Sequence, residues 1–250
     1  MKIITSINNE LIKNLILLKD KKYRQKKQQF LIEGFHLINE AKKTNNLLMI
    51  LATEEVALKI NDFDNIIIVS PQIIKKLSFT ITPQPIIGVC KFLQFNEPIN
   101  SENIILLDKI QDPSNLGNIM RSCLAFNIKT LYLNNDSVDL YNDKVIRSSM
   151  GAIFYLNIIY TNLEIVILEL KTKKYRIYGT LFKKATNSLW DIKFAPLTAI
   201  VFGNEAHGIS SNLNELIDEN FYIPTNSNLE SLNLNNALAV SLYEMIKQKK

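Results

Sequence analysis

Residues 103–126 read NIILLDKIQDPSNLGNIMRSCLAF, and they set the pattern on which the second half of the chain is built. The run NIILLD is short and apolar, as is typical of a strand buried on both faces of a sheet. Apolar residues then recur at helical spacing from Leu116 to Phe126, and Asp112, Pro113 and Asn115 supply turn and helix N-cap chemistry between the two segments. The stretch therefore predicts a strand, a turn and a helix, the repeating unit of a parallel α/β sheet.

The same alternation continues in both directions along the chain. Predicted strands include FLIEG and NIIIVS before this stretch and TLYLNN, LTAIVFGN and FYIPT after it, with helical patterns between them. Residues 93–103, LQFNEPINSEN, carry turn chemistry instead of periodicity and are the best candidate for a linker. We therefore predict an α/β protein with a small N-terminal α/β domain over residues 1–96 and a parallel-sheet domain over residues 97–250.

Composition excludes several classes of protein. The 250 residues are 47% hydrophobic and 21% charged, which suits a globular chain with a sizeable core. There is no apolar run of bilayer length and residues 1–14 lack the pattern of a signal peptide, so we expect a cytoplasmic protein without a membrane anchor. Cys90 and Cys123 lie in apolar surroundings without a metal-ligand spacing, so we expect buried thiols and no metal site.

Positive charge is concentrated near the N-terminus. Residues 1–96 hold 14 Lys and Arg against 8 Asp and Glu, whereas residues 97–250 hold 15 against 16. The densest run is LKDKKYRQKKQQF, residues 18–30, which is a solvated helix face on one interpretation and an RNA phosphate-binding patch on the other. The candidate phosphate contacts in this run are Lys21, Lys22, Arg24, Lys26 and Lys27.

Three strand-to-helix junctions of the second half carry the unusual residues. Gly117 lies in the first, and VFGNEAHGIS, residues 201–210, forms the second. The third, residues 222–239, leaves a strand at Pro224 and enters a helix near Leu232, and the polar loop between them is longer than a connection requires. The glycine fingerprint G-x-G-x-x-G does not follow any predicted strand, so a dinucleotide-dependent dehydrogenase is disfavoured. Because ligands bind beyond the carboxyl ends of parallel strands, the three junctions predict one ligand crevice.

Taken together and in order, the motifs NLGNIMR, GNEAHG and IP followed by ESLNLNNALA resemble those of the SpoU, or TrmH-type, branch of the SPOUT methyltransferases. These enzymes methylate the ribose 2′-hydroxyl of tRNA or rRNA. The segment YNDKVIRSSMGAIF resembles the family's Lys-x-x-Arg-x-Ser-x-Gly segment, and the N-terminal half is similar to the ribosomal-protein-like RNA-binding domain of many members. Two departures are Asn235, where the family often has Ser, and Ala206, where it often has Gly.

The resemblance implies a SPOUT domain with a deep trefoil knot, S-adenosylmethionine as cofactor, no metal, RNA as partner and a homodimer paired through its C-terminal helices. It assigns Arg121 to activating the ribose hydroxyl and Asn115 to positioning it. We interpret Arg121 as an electrostatic group because a guanidinium stays protonated. Glu205 is expected to support the site, through Arg121 or across the subunit boundary. The implied cofactor-binding residues are Leu181, Gly203, Asn204, Ile223, Pro224, Ser231, Leu232 and Asn233, and Lys144 and Arg147 join the expected RNA contacts.

The substrate stays open at this point. The N-terminal domain favours large-subunit rRNA, and tRNA is the alternative. A catalytically inactive RNA-binding module and a base methyltransferase of another SPOUT branch are further hypotheses, which S-adenosylmethionine binding and analysis of the product nucleoside would separate.

Overall fold

The computed structural model describes residues 2–95, 103–181, 187–226 and 232–248. The chain forms two compact units, one of Met1–Gln94 with Asp139–Phe154 and one of Phe95–Val138 with Tyr155–Lys250. We call them the first and the second unit. The predicted domain boundary at residue 96 falls close to the first division, but residues 139–154, which we had placed in the C-terminal domain, pack within the first unit. Most of the predicted linker lies outside the described residues.

Strands and helices alternate through both units. The strands are β1 (Lys2–Ile4), β2 (Gln29–Glu33), β3 (Leu47–Ala52), β4 (Ile66–Val69), β5 (Ile86–Lys91), β6 (Ile104–Leu107), β7 (Thr130–Asn134), β8 (Asn157–Thr161), β9 (Arg176–Thr180), β10 (Asn187–Ser188), β11 (Thr198–Phe202) and β12 (Glu219–Tyr222). The α-helices are α1 (Glu10–Leu17), α2 (Lys21–Lys27), α3 (Phe35–Lys43), α4 (Glu54–Ala57), α5 (Pro71–Leu77), α6 (Pro113–Ala125), α7 (Asp143–Ser149), α8 (Leu163–Thr172), α9 (Ser211–Asn214) and α10 (Leu234–Lys247).

The first unit is built on a five-stranded mixed sheet. Its strand order is β1-β4-β3-β5-β2, in which β5 runs antiparallel to both of its neighbours. The sequence pattern predicts one helix across residues 8–29, but the structure has two, because the Asp20 side chain accepts a hydrogen bond from the Lys22 N–H and starts α2 anew. Phe30, at the end of the lysine-rich run, is fully buried in the core.

Aromatic and ionic contacts hold residues 139–154 in the first unit. The Tyr141 ring stacks on Phe92 with 3.9 Å between ring centroids and lies 4.7 Å from Phe30. Its hydroxyl oxygen accepts a hydrogen bond from the Leu93 N–H at 2.9 Å. Burial raises the pKa of Tyr141 to about 12. Asp139 completes the attachment with an ion pair to Arg24 at 2.6 Å.

The second unit is built on a seven-stranded sheet in the order β10-β12-β9-β11-β6-β7-β8. All of its strand pairs are parallel, as predicted. Every residue of β6 and β11 is buried, which is the pattern of central strands covered on both faces. Because the strands run in one direction, the segments that follow β6, β9, β11 and β12 leave the same edge of the sheet.

Helix α6 begins earlier than predicted. Asp112, not Asn115, is its N-cap, since the Asp112 side chain accepts a hydrogen bond from the Asn115 N–H at 2.9 Å and Pro113 occupies the first helical position. The Asn115 side chain is thereby free to make other contacts. The trefoil knot implied by the resemblance stays a prediction.

Candidate functional site

A cavity of about 580 Å³ opens at the carboxyl ends of β9, β11 and β12, beside the start of α10. We call it the strand-end cavity. All of its lining residues belong to the second unit. They include every described residue of the predicted cofactor set, while Ser231 lies outside the described residues. The predicted residues that line it are Leu181, Gly203, Asn204, Ile223, Pro224, Leu232 and Asn233.

Sequence reasoning missed about half of the lining. Several of these residues adjoin predicted ones in the chain, so strand-end position was the signal that could have found them. Others lie on the first turn of α10, where the helical pattern indicates packing only. The missed lining residues are Thr180, Gly208, Phe221, Tyr222, Thr225, Asn226, Leu234 and Ala237.

Residues 203–208, which we call the Gly203 loop, form one wall of the cavity. Glycine is required at Gly203 and favoured at Gly208. A Cβ at Gly203 would lie 2.1 Å from the Gly208 carbonyl carbon, far inside contact distance. The loop folds back on itself, with the Asn204 N–H donating to the Gly208 oxygen at 3.0 Å and the Gly208 N–H donating to the Asn204 oxygen at 2.8 Å. Gly208 has φ +70°, a left-handed conformation that favours glycine. The backbone groups that face the cavity are therefore held in fixed positions.

Asp108 and Lys109, which directly follow β6, hold the Gly203 loop and the residues just after it by hydrogen bonds. The Asn204 Nδ2 donates to the Lys109 carbonyl oxygen at 2.9 Å. Asp108 is 1% exposed, and its Oδ2 accepts hydrogen bonds from both the Ser210 N–H and the Ser210 hydroxyl. Asp108 was not among the predicted site residues. Its position directly after a fully apolar strand could have indicated a polar group at the strand end.

Asn115 connects two walls of the strand-end cavity. Its Nδ2 donates to Glu205 Oε1 at 2.7 Å, and its Oδ1 accepts from the Asn233 Nδ2 at 3.2 Å. Glu205 and Asn233 both line the cavity. A third contact joins α6 to α10. The Ser122 hydroxyl, seven residues after Asn115 in α6, donates to Asn235 Oδ1 at 3.0 Å. The structure thus brings together Asn115, Glu205 and the cofactor loops.

Arg121 is placed differently. It is exposed, it does not line the cavity, and it makes no hydrogen bond or ion pair with the described residues. Gly117, one turn before it in α6, is buried. Glu205 contacts Asn115 and not Arg121 among the described residues, and its expected support of the site, through Arg121 or across the subunit boundary, stays a prediction.

The lining combines apolar side chains with a single negative charge. Leu181, Ile223 and Leu232 offer apolar surface, and Glu205 is the one charged side chain among the described lining residues. A carboxylate at the cavity wall favours a neutral or cationic ligand there over an anionic one.

The predicted RNA-contacting side chains all lie in the first unit. Lys21, Lys22, Lys26 and Lys27 are exposed along α2, and Lys144 and Arg147 are exposed on α7, where Arg147 pairs with Asp143 at 2.9 Å. The predicted contact at Arg24 is wrong. Arg24 is 7% exposed, and its guanidinium donates to the Leu18 and Lys19 carbonyl oxygens and to Asp139, so it is committed to the fold.

Among residues 2–95, 103–181, 187–226 and 232–248, no three or more His, Cys, Asp or Glu side chains are grouped as a metal site. Nor does any helix in them have the length and apolar character needed to cross a membrane.

Burial raises the pKa of the Cys90 and Cys123 thiols well above the usual range.

Similarity to known proteins extends over nearly the whole chain. It is 32% identical to the 23S rRNA (guanosine(2553)-2′-O)-methyltransferase RlmP of Bacillus subtilis (strain 168), over 98% of this chain and 99% of that protein. A crystal structure of an RNA 2′-O ribose methyltransferase matches with a TM-score of 0.84 at 27% identity, over 99% of each chain. The SpoU methyltransferase AviRb of Streptomyces viridochromogenes, solved in complex with AdoMet, shares the fold with a TM-score of 0.86 at 22% identity, over 97% of this chain and 98% of that one.

Family models divide the chain as its two sheets do. A model of MRM3-like substrate-binding domains matches residues 9–88, and the model of the SpoU rRNA methylases matches residues 102–243, more than half of the chain. The chain therefore belongs to the SpoU rRNA methylase family, and the strand-end cavity and the Asn115–Glu205 contact lie in the part that this family model matches.

Proposed function

We propose that the protein transfers a methyl group from S-adenosylmethionine to a ribose 2′-hydroxyl of RNA. The observation that carries the proposal is the strand-end cavity, in which seven cofactor-binding residues implied by the family resemblance line one space beside Asn115. Family membership supports the reaction class, since the full-length relative from B. subtilis is a ribose methyltransferase of 23S rRNA.

The residues of the strand-end cavity fit the proposed cofactor. Leu181, Ile223 and Leu232 offer apolar contacts for a purine ring, and loop backbone groups can bind its polar edge. The Glu205 carboxylate suits a ligand that carries positive charge. When bound, S-adenosylmethionine supplies an electrophilic methyl group on a positively charged sulfur.

The chain's own residues then have distinct tasks. We assign Asn115 to orienting the ribose hydroxyl, because its amide is held between Glu205 and Asn233 at the cavity wall. Glu205 acts as a positioning residue through Asn115. Arg121 is an unpaired cation among the described residues and stays protonated, so we assign it to orienting an RNA phosphate and stabilising negative charge that develops on the hydroxyl.

We favour large-subunit rRNA as the substrate, with tRNA as the alternative. The exposed lysines of α2 and the basic residues of α7 support RNA binding by the first unit, because each lysine that neutralises a phosphate adds affinity. An rRNA-modifying enzyme acts where ribosomal RNA is made and assembled, so we propose a cytoplasmic location. An inactive RNA-binding module would have no use for the strand-end cavity.

We also propose that the protein is a homodimer that pairs through α10. The helix buries Leu238, Leu242 and Met245 in its own unit yet leaves Val240 and Tyr243 exposed at 42% and 61%. Two large apolar side chains, three residues apart on one helix, form a contiguous patch that a second copy can cover.

Isothermal titration calorimetry with S-adenosylmethionine tests the proposed cofactor. The wild-type protein should bind it without added metal, and Gly203→Ala should not bind, since the added Cβ meets backbone atoms of the Gly203 loop. Thr198, at the opposite end of β11 from the loop, provides a control: Thr198→Ser should bind as wild type does. A wild-type protein that gives no binding heat would remove the cofactor from the proposal.

A further inference from the structure

A loop in the first unit that is held by several hydrogen bonds exposes one isoleucine to solvent. Residues 78–84 connect α5 to β5, and we call them the Ile81 loop. Ile81 is 99% exposed, the highest value of any exposed large hydrophobic residue in the described chain. A single exposed apolar side chain is ordinary on a protein surface. The unusual feature is the set of contacts that holds this loop still.

Glu33, at the end of β2, organises the Ile81 loop from beneath. It is 9% exposed. The Ser78 hydroxyl donates to its Oε2 at 2.7 Å, and its Oε1 accepts from the Thr80 hydroxyl at 2.8 Å and from the Gln84 N–H at 3.0 Å. A carboxylate that accepts three hydrogen bonds from one loop restricts both ends of that loop.

A cation fixes the same loop from a second direction. The Lys19 Nζ donates to the Ser78 carbonyl oxygen and lies 5.0 Å from the centroid of the Phe79 ring. Burial, followed by the nearby charge of Lys76, lowers the pKa of Lys19. With Ser78 and Phe79 tied down and Thr80 held by Glu33, Ile81 is the first side chain of the loop that points away from the unit.

The surroundings of the loop are rich in positive charge. Lys75 and Lys76 lie in the last turn of α5, just before the loop, and Lys19 lies two residues before the lysine-rich helix α2. Helix α2, which follows Lys19, carries the exposed residues Lys21, Lys22, Lys26 and Lys27. The apolar tip therefore lies close to cationic side chains, Lys19 in contact with the loop and Lys75 and Lys76 just before it, which suit a polyanion.

We propose that Ile81 contacts an unpaired base of the substrate RNA while the surrounding lysines neutralise its phosphates. The inference rests on the proposed function, in which the first unit binds RNA. Unpaired bases can be splayed out of a helix, and they offer a flat apolar face to a protein side chain. Because the loop is already ordered by Glu33 and Lys19, little further ordering opposes that contact.

The test compares Ile81→Ser with Leu58→Ser in the full-length protein. Leu58 is the matched control, an exposed aliphatic residue of the same unit at the end of α4. The probes are a protein-free 23S rRNA transcript and an uninterrupted RNA duplex, each titrated at several salt concentrations.

Ile81→Ser should weaken binding of the rRNA transcript about five- to tenfold, as expected for loss of a partly buried aliphatic contact. The logarithmic salt dependence should stay as in wild type, because no charge is removed. Binding to the duplex should not change, Leu58→Ser should bind both probes as wild type does, and Ile81→Phe should restore transcript affinity.

Unchanged transcript affinity for Ile81→Ser, with wild type binding normally, would overturn the inference and leave the proposed function standing; the tip would then serve a protein partner or none. Equal losses for Ile81→Ser and Leu58→Ser would overturn it as well, since the effect would not be specific to the loop. Failure of the wild-type protein to bind RNA at all would instead contradict the proposed function.

Discussion

Asn115 and Glu205 lie 90 residues apart in the chain, and the Asn115 Nδ2 donates to Glu205 Oε1 at 2.7 Å. The bond joins the first turn of α6 to the Gly203 loop. It places the amide of one motif and the carboxylate of another at a single wall of the strand-end cavity.

Replacing Asn115 with Ala should therefore lower the single-turnover rate of methyl transfer about ten- to a hundredfold, since hydrogen bonds to charged groups are worth about 1.5–3 kcal/mol. Asn118→Ala, on the same helix, is the control and should react at the wild-type rate. Equal rates for Asn115→Ala and wild type would rule out an orienting role for this side chain.

Arg121→Ala should lower turnover about a hundredfold or more while the Kd for S-adenosylmethionine stays unchanged, because the lost charge acts mainly in the transition state. Single-turnover kinetics and calorimetry measure the two quantities separately. Arg176→Ala, which removes an exposed arginine elsewhere in the second unit, is the control. If Arg121→Ala keeps the full rate, the catalytic assignment is wrong.

Replacing Lys21, Lys22, Lys26 and Lys27 together with Gln should weaken RNA binding and flatten its logarithmic salt dependence by about 0.7–0.9 per lost phosphate contact. Turnover at saturating RNA should change little. A matched control replaces Lys171, Lys173 and Lys174 of the second unit. A wild-type salt slope in the α2 variant would mean that these lysines are only a solvated helix face.

Asp108→Asn should weaken S-adenosylmethionine binding about five- to tenfold, because Ser210, two residues after the Gly203 loop, loses the charge-assisted hydrogen bonds that hold the end of that loop. Ser210→Ala should have a smaller effect, and the double variant should lose less than the two single losses combined, since both act through one contact. Asp136→Asn, at an exposed carboxylate of the same unit, is the control. Fully additive losses would show that Asp108 does not affect cofactor binding through its contact with Ser210.

The proposed dimer predicts a mass of two chains by light scattering at micromolar concentration. Tyr243→Glu should shift the protein to a monomer, because it places a charge in the apolar patch of α10. Ile165→Glu, at a comparably exposed position of α8, should remain dimeric. A monomeric wild-type protein under the same conditions would contradict pairing through α10.

Sequence patterns predicted the parallel sheet because its apolar strands follow from local order, and they placed a ligand crevice where those strands end. The individual residues of the cavity came from the family resemblance. The sequence patterns did not predict which polar groups meet across the fold. Arg24 sits in a lysine run like its neighbours, and only the packing of residues 139–154 brings Asp139 to it. Asp108 and Ser210 are likewise ordinary residues until two parallel strands end side by side.

Helix boundaries failed for a related reason. Asp20 and Asp112 each compete with neighbouring residues for the N-cap, and the sequence does not say which residue wins. At Asp112 the choice has a functional consequence, because an N-cap at that position frees the Asn115 amide to bridge the walls of the strand-end cavity.

The most direct test of the central claim is nucleoside analysis by mass spectrometry after the purified protein has acted on 23S rRNA with methyl-labelled S-adenosylmethionine. We predict label in a nucleoside whose added methyl group is on the ribose, formed about a hundredfold more slowly, or slower still, in the Arg121→Ala sample under the same conditions. Label on a base, or an absence of label despite measured binding of both RNA and S-adenosylmethionine, would contradict it.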